Sequence, residues 1–483
     1  MRSAEVTFWG VGTIASSGST IVTAKTGRFR RRLAMGVIGL VLLLLGGIVG
    51  VGVLLTRGGG DGASAAVAVA DAKLPDLGEA APVLASLATD APAPDPAVLS
   101  SQLTPLLTSA GLGTGVSAEV IDVATGDVLL DLDASDPAIP ASTAKLLTAA
   151  AALITLDPAD TLPTTVVSGA TPGEVVLVGG GDLTLSRTSP SQSYPGAPTV
   201  ADLATQVVAA LPAGTPVTRI VVDNSLFTGP LTAAGWGAGD APSSYAAPVT
   251  ATAVDGARVS PGSQARSGQP GIDAGSALAD ALGAPGATVV LGDAPAGAET
   301  LATVQSAPIG RLVEQALSMS DNMLAEALAR QVAIAKNLPA SFEGGAQAVT
   351  HALADAGIDI TGVTLSDGSG LSGNYRVPAG VLTEVVKGAA DGSLKHASAL
   401  LSGLPVAGYD GTLFDRGEAG AAPGTVRAKT GTLLGVHALA GTVVTADERL
   451  LAFAVVADGS GSEVAAENGL DDVAAALAGC GCR

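Results

Sequence analysis

The chain has 483 residues, 47% of them apolar and only 2% aromatic, and it carries a net charge of −20. That length allows about three domains, and an apolar stock of mostly Ala, Val and Leu suffices for sizeable cores. A chain this acidic and this poor in aromatic side chains lacks both the basic face and the stacking surface that a nucleic-acid binder needs, so that class is excluded.

The charge is unevenly spread. Residues 1–57 hold Arg2, Lys25, Arg28, Arg30, Arg31, Arg32 and Arg57 against Glu5, a surplus of +6 that leaves −26 for the rest. Residues 1–32 are Gly/Ser/Thr-rich with a basic end and read as a disordered cytoplasmic tail. Residues 33–55 contain no charged or strongly polar side chain. A run of about 20 apolar residues crosses a bilayer as a helix, whereas the core of a signal peptide has about 7–15. With the Arg28–Arg32 cluster before it, the run predicts a single-pass membrane anchor whose N-terminal side is cytoplasmic and whose acidic body is extracytoplasmic. The alternative is a cleaved signal peptide, with the small-residue stretch 63–72 as its cleavage region. Residues 56–95, rich in Gly, Ala, Pro and Asp, read as a flexible linker.

Order is expected from residue 96. Val98, Leu103, Leu106 and Leu107 have helical spacing over 97–110. Residues 116–123 and 127–132 read as a hairpin turning at Ala124-Thr125-Gly126. A loop to Pro140 precedes an Ala/Leu-rich helix over 142–156. From about 162 to 304 the composition shifts to Gly, Pro and Thr. Short β-like runs (173–178, 218–222) and one helix (199–211) lie in this stretch. Strong helical periodicity returns over 309–336, and a further helix is expected over 378–388. Residues 425–430, 437–444 and 450–457 read as three consecutive strands, and 463–478 as a closing helix. Elements that do not alternate as βαβ suggest an α+β domain, formed by 96–160 and 306–479 and interrupted by a β-rich insertion over 161–305. Cys480 and Cys482, the only cysteines, read as an incidental pair in a frayed tail.

The chemistry is narrowed by scarcity. Only His351, His396 and His437 are present, G-x-S-x-G occurs nowhere, and no metal signature such as H-E-x-x-H is found, so no metal and no cofactor are implied. Among seven lysines only Lys145 follows a serine by three positions. Ser142 and Lys145 at i and i+3 share one face of a helix. A lysine in a low-dielectric pocket loses proton affinity and can take the proton of a serine hydroxyl. Ser320-Asp321-Asn322 falls within the periodic stretch, and Ser320 and Asn322 can both reach a cleft only if the helix breaks between them. Lys429-Thr430-Gly431-Thr432 ends a predicted strand. It offers a cation and two hydroxyls to a substrate carboxylate, and Gly431 permits close backbone approach. Each triplet alone is no more than a polar surface feature. The ordered set S-x-x-K, S-D-N and K-T-G is that of β-lactamases and penicillin-binding proteins.

On these residues the chain resembles the D-Ala-D-Ala carboxypeptidase/endopeptidase family, the class C penicillin-binding proteins of low molecular mass. Residues 179–185 (G-G-G-D-L-T-L), 223–227 (D-N-S-L-F), 245–248 (Y-A-A-P), 367–372 (D-G-S-G-L-S) and 404–408 (L-P-V-A-G) are similar to further segments of that family. The resemblance covers about 97–478. It implies a serine penicillin-recognising, β-lactamase/transpeptidase-like domain with a five-stranded antiparallel sheet flanked by helices, and inserted domains between the first two motifs. It also implies roles: Ser142 as nucleophile, Lys145 as base, Ser320 as proton relay and Asn322 as holder of the substrate backbone. Lys429, Thr430 and Thr432 would bind the terminal carboxylate beside Gly431, and the N–H groups of Ser142 and Thr432 would form the oxyanion hole. The partners implied are peptidoglycan stem peptides and β-lactams. Class A β-lactamases share the core but lack so long an insertion, and their Glu-x-x-Leu-Asn segment has no counterpart, since no Leu-Asn pair occurs. The competing readings are a non-catalytic wall-binding scaffold and a β-lactamase-like hydrolase.

Overall fold

The structure, a computed structural model, describes residues 90–416 and 423–483. The expected tail, the membrane span over 33–55 and nearly all of the linker lie outside the described residues. Among the described residues no helix is long and apolar enough to cross a membrane.

Helix α1 (Pro96–Leu107) is capped by the Asp95 carboxylate, which accepts from the amides of Ala97 and Val98. Strands β1 (Gly115–Asp122) and β2 (Val128–Leu132) form the expected hairpin, followed by the short β3 (Pro137–Ala138). A 3₁₀ turn, Ala141–Ala144, leads into α2 (Lys145–Thr155). Next come β4 (Pro163–Ser168), β5 (Glu174–Gly179), α3 (Val200–Ala210), β6 (Arg219–Asp223), α4 (Pro270–Ala281), β7 (Thr288–Leu291) and β8 (Thr300–Gln305). The chain then runs through α5 (Ile309–Ser318), α6 (Asn322–Ala335), α7 (Phe342–Asp355), β9 (Val377–Pro378), α8 (Ala379–Ala390) and α9 (Ser398–Gly403). It closes with β10 (Val426–Leu433), β11 (Val436–Val444), β12 (Leu450–Asp458) and α10 (Glu463–Ala478).

The main sheet has the order β10-β11-β12-β1-β2, antiparallel throughout. Both faces are covered, which explains why β11 and β12 read as almost unbroken apolar runs. On β12, Ala452, Ala454 and Val456 face a core shared with α2, α5, α6 and α8, while Leu451, Phe453 and Val455 face α1 and α10. This is the two-residue pleat period with each half buried. The first face is mostly alanine on β11 and β12 (Ala438, Ala440, Ala452, Ala454), so the helices over it meet small side chains.

The second sheet lies wholly within 161–305, in the order β7-β6-β5-β4-β8. It is mixed: β5–β6 and β6–β7 run parallel, joined through α3 and α4, whose apolar sides share a core with it. The insertion is therefore α/β in character rather than simply β-rich. Helix α4 carries two glycines, which obscured its 3.6-residue period. Residues 224–269 are mostly irregular and pack through Ala246, Ala247 and Val249 on Met323 and Ala327 of α6.

The C-terminal tail is not frayed. Cys480 and Cys482 are joined by a disulfide and buried in the α1/α10 core. The Cys482 carbonyl accepts from Asp95 N at 2.6 Å, so the last residues are fastened to the start of α1. Just before that start, Ala91 O accepts from Arg449, which is ion-paired with the fully buried Asp122 at 2.8 Å.

Candidate active site

Three segments meet at the edge of the main sheet. The first is the 3₁₀ turn. Ala141 has φ +47°, a left-handed conformation uncommon for a residue with a Cβ. Ser142 thus sits in the turn before the helix rather than inside it, half-buried, with Lys145 as the first residue of α2. Lys145 Nζ donates to Ser142 Oγ at 2.9 Å, to Asn322 Oδ1 at 2.6 Å and to the Ser369 carbonyl at 2.8 Å. All three ammonium hydrogens are therefore directed, one of them at the serine.

The second segment is the corner between α5 and α6. Ser320 adopts φ +52°, a strain on the order of 1–3 kcal/mol for a non-glycine residue, and it breaks the helix between Ser318 and Asn322. The break leaves Ser320 partly exposed and turns Asn322 to Lys145. The Asp321 carboxylate caps α6 through the amides of Met323 and Leu324. Asn322 Nδ2 donates to the Tyr245 carbonyl at 3.1 Å, so a loop of the insertion reaches the site.

The third segment is β10, an edge strand. Lys429-Thr430-Gly431-Thr432 lies within the strand, which continues to Leu433, rather than at its end. Residues 405–407 bond to the outer edge of β10 at Val426 and Ala428. Beyond Ala428, among the described residues, that edge bears no strand. A Cβ on Gly431 would stand 2.6 Å from Pro140 O, so only glycine allows β10 this close to the Ser142 turn. The pleat sends Lys429 and Gly431 to one face and Thr430 and Thr432 to the other. Lys429 is wholly buried, its Nζ donating to Thr430 O at 2.8 Å, instead of standing free as a surface cation. Thr430 Oγ1 shares a 2.8 Å hydrogen bond with Thr412 Oγ1, and Thr432 is exposed.

Electrostatics follow from this burial. Desolvation brings Lys145 down to about 8, against the pull of Asp367, Glu326 and Asp321. Burial, and then the neighbouring Lys145, push Lys429 well below the usual lysine range. Burial thus disfavours the charge of both lysines, and Lys145 further opposes charge on Lys429.

Sequence reading alone did not find the groups behind Lys145. The loop Asp367-Gly368-Ser369-Gly370 is wound around the Asp367 carboxylate, which accepts from the amides of Ser369, Gly370 and Ser372 and from Trp236 Nε1. Glu326 accepts from Gly368 N at 3.0 Å and pairs with buried Arg330 at 3.1 Å. Burial and Asp367 push Glu326 up to about 7. A Cβ on Gly370 would collide with Ala141 O, which fixes this loop directly under the Ser142 turn. The family-like D-G-S-G-L-S segment was the visible trace of this cradle; its role was not.

A serine bonded to a depressed lysine beside an open strand edge, on a helix-flanked antiparallel sheet, fits the class of penicillin-recognising serine hydrolases. The chain matches the D-Ala-D-Ala carboxypeptidase 3 (S13) family over residues 99–270 and 262–479. It is 40% identical over 465 residues to the carboxypeptidase DacB of Mycolicibacterium smegmatis, covering 94% of this chain and 99% of that protein. It is 39% identical over 407 residues to the carboxypeptidase Rv3627c of Mycobacterium tuberculosis, covering 82% and 87%. In fold it is similar to penicillin-binding protein 4 of Haemophilus influenzae, with TM-score 0.63, 23% identity, and coverage of 77% of this chain and 98% of that one. A second structure of that protein, complexed with a β-lactam, matches with TM-score 0.58 at 22% identity over the same shares. The chain belongs to the D-Ala-D-Ala carboxypeptidase 3 (S13) family and is a serine hydrolase of that activity.

Proposed function

We propose that the chain works outside the cytoplasm, removing or cleaving at D-alanine in peptidoglycan stem peptides through an acyl-enzyme on Ser142, and that β-lactams acylate the same oxygen. The observation that carries this reading is the 2.9 Å hydrogen bond between Ser142 Oγ and a buried lysine brought down to about 8. Neutral Lys145 accepts the Ser142 proton as Oγ attacks the carbonyl between two D-alanines. The proton passes by way of Ser320 to the leaving amine, D-alanine departs, and water hydrolyses the ester. The amides of Ser142 and Thr432 stabilise the oxyanion, where charge develops only in the transition state. Asn322 exchanges its bond to Tyr245 O for the substrate backbone, which lies along the open edge of β10 as an added strand. The terminal carboxylate meets Thr430 and Thr432, with Lys429 behind them regaining its charge when the anion binds. The β-lactam part of the reading is supported by the complete motif set and by the homologous fold solved with such a ligand.

The carboxylate assignment makes a specific expectation. Amidating the terminal carboxylate of a D-Ala-D-Ala peptide and Lys429→Ala should each lower kcat/KM by roughly ten- to a hundredfold, the worth of a charge-assisted hydrogen bond. Applied together they should cost little more than either alone, because they remove one contact. Release of D-alanine from both peptides by both proteins measures this. Fully additive penalties would remove Lys429 from the carboxylate site.

Residues 33–55 serve, in the same proposal, as an uncleaved anchor with the body outside. The length of the apolar run and the Arg cluster before it support this. N-terminal sequencing of protein from its native host should find the segment still attached. A mature chain beginning near residues 65–75 would instead make it a signal peptide.

A further inference from the structure

Asp321 is the middle residue of S-D-N, and its side chain points away from the site. It is 3% exposed, and Oδ1 is used in capping α6. Oδ2 accepts from Tyr194 Oη at 2.7 Å, Arg266 Nη2 at 3.2 Å and Arg258 Nη2 at 3.4 Å. All three donors belong to the insertion, 55 to 127 residues away in sequence.

Those donors are themselves fixed. Arg258 Nη1 donates to Tyr194 Oη at 2.7 Å and to Asp255 O at 3.0 Å, and its guanidinium lies 5.2 Å from the Tyr194 ring centre. Arg266 Nη1 is bonded to the Gly256 carbonyl, and Arg258 and Arg266 face each other across an antiparallel bridge. Two arginines and a tyrosine thus hold a single buried carboxylate. Burial opposes its charge, but Arg266 and then Arg258 outweigh this and hold Asp321 well below the usual carboxylate range. The residues on either side of it are Ser320, in a left-handed conformation that the corner must enforce, and Asn322, on Lys145 Nζ.

We propose that Tyr194, Arg258 and Arg266 clamp Asp321, so that the insertion holds the corner carrying Ser320 and Asn322 in its catalytic shape. These are positioning residues. The inference rests on the assignment of Ser320 and Asn322 to the site described above, and it makes the insertion a working part of the active site rather than an appended module.

The test uses the full chain and a fluorescent penicillin, with the second-order acylation rate constant followed against pH. Labelling of the parent protein is the control for the functional reading, since a parent that is never acylated fails that reading before the clamp is addressed. Given labelling, Arg266→Met and the milder Tyr194→Phe should lower the rate constant, Arg266→Met by roughly tenfold to a hundredfold, as expected when reacting groups are displaced. Arg219→Met breaks an ion pair of the same insertion with Glu174, outside the cluster, and should leave the rate within about twofold, as for most surface positions. The charged groups acting on Lys145 are Asp367, Glu326, Asp321 and Arg266, and Lys429 is its neighbour. Loss of the Arg266 cation raises proton affinity at Lys145, so the rising limb of the profile should move to higher pH in Arg266→Met and return in Arg266→Lys. A defect in folding alone lowers the amplitude without moving the limb. Folded Arg266→Met and Tyr194→Phe proteins that acylate at the parental rate with an unmoved profile would overturn the clamp.

Discussion

Ser142→Ala is expected to abolish both penicillin labelling and D-alanine release while leaving the fold in place. The hydroxyl is the only group at this position able to form the ester, and no neighbouring side chain can substitute for an oxygen held 2.9 Å from Lys145 Nζ. The cost to folding should be small. Lys145 keeps Asn322 Oδ1 and the Ser369 carbonyl after the substitution, so no buried cation is stranded. One lost hydrogen bond is worth about 1 kcal/mol. Intact-mass and peptide mass spectrometry of penicillin-treated protein should show one adduct, on the peptide containing Ser142, and none in the variant. An adduct on any other serine would reassign the nucleophile.

Lys145→Ala should lower the acylation rate about 10²–10⁴-fold, the usual contribution of a positioned general base. The pH dependence distinguishes a base from a structural lysine. Lys145 is active when neutral, and burial sets its titration at about 8. In the parent protein the rate constant should therefore rise as pH increases through that value and level off above it. In Lys145→Ala the residual rate should lack this limb. The sign is fixed by the mechanism, because a group that had to be protonated would give a rate falling over the same range. Stopped-flow acylation across the neutral and alkaline range decides it. A limb that persists unchanged in Lys145→Ala would place the titrating base elsewhere.

Much of this architecture was legible in the sequence because it is written in local patterns. Strands β11 and β12 announce themselves through nearly unbroken apolar runs between turn residues, which a sheet buried on both faces requires, and the helix Glu463–Ala478 through apolar positions at helical spacing. The corner at Ser320 was legible for a different reason. A serine and an asparagine two apart on a continuous helix point in different directions, so a shared role demanded a break. What stayed hidden lacks any local period. Asp367 and Glu326 hold the loop whose Ser369 carbonyl meets Lys145, and Tyr194, Arg258 and Arg266 hold Asp321. The contacts of Glu326 with Gly368 and of the three insertion residues with Asp321 span 42 to 127 residues and leave no spacing to detect. Helices α4 and α7 were missed because each contains two glycines, which dilute helical propensity until tertiary packing restores it. The full burial of Lys429 was not legible either, because a strand motif does not show what packs over it, here the Ser142 turn beside Gly431.

The fastening of Ala91 and Asp95 has a mechanical side. Ala91 is held by Arg449, in the turn between β11 and β12, while Thr432 pairs with His437 at the opposite end of β11. The eight residues from His437 to Val444, seven rises of a strand, span about 23 Å. Any load from the upstream chain therefore enters the sheet at one end and bears on Arg449, the tail and α1. The strand edge that receives substrate lies at the other end, out of the line of force. If the chain is held from its N-terminal side, as proposed above, a pull at Ala91 reaches the sheet at the end away from Thr432.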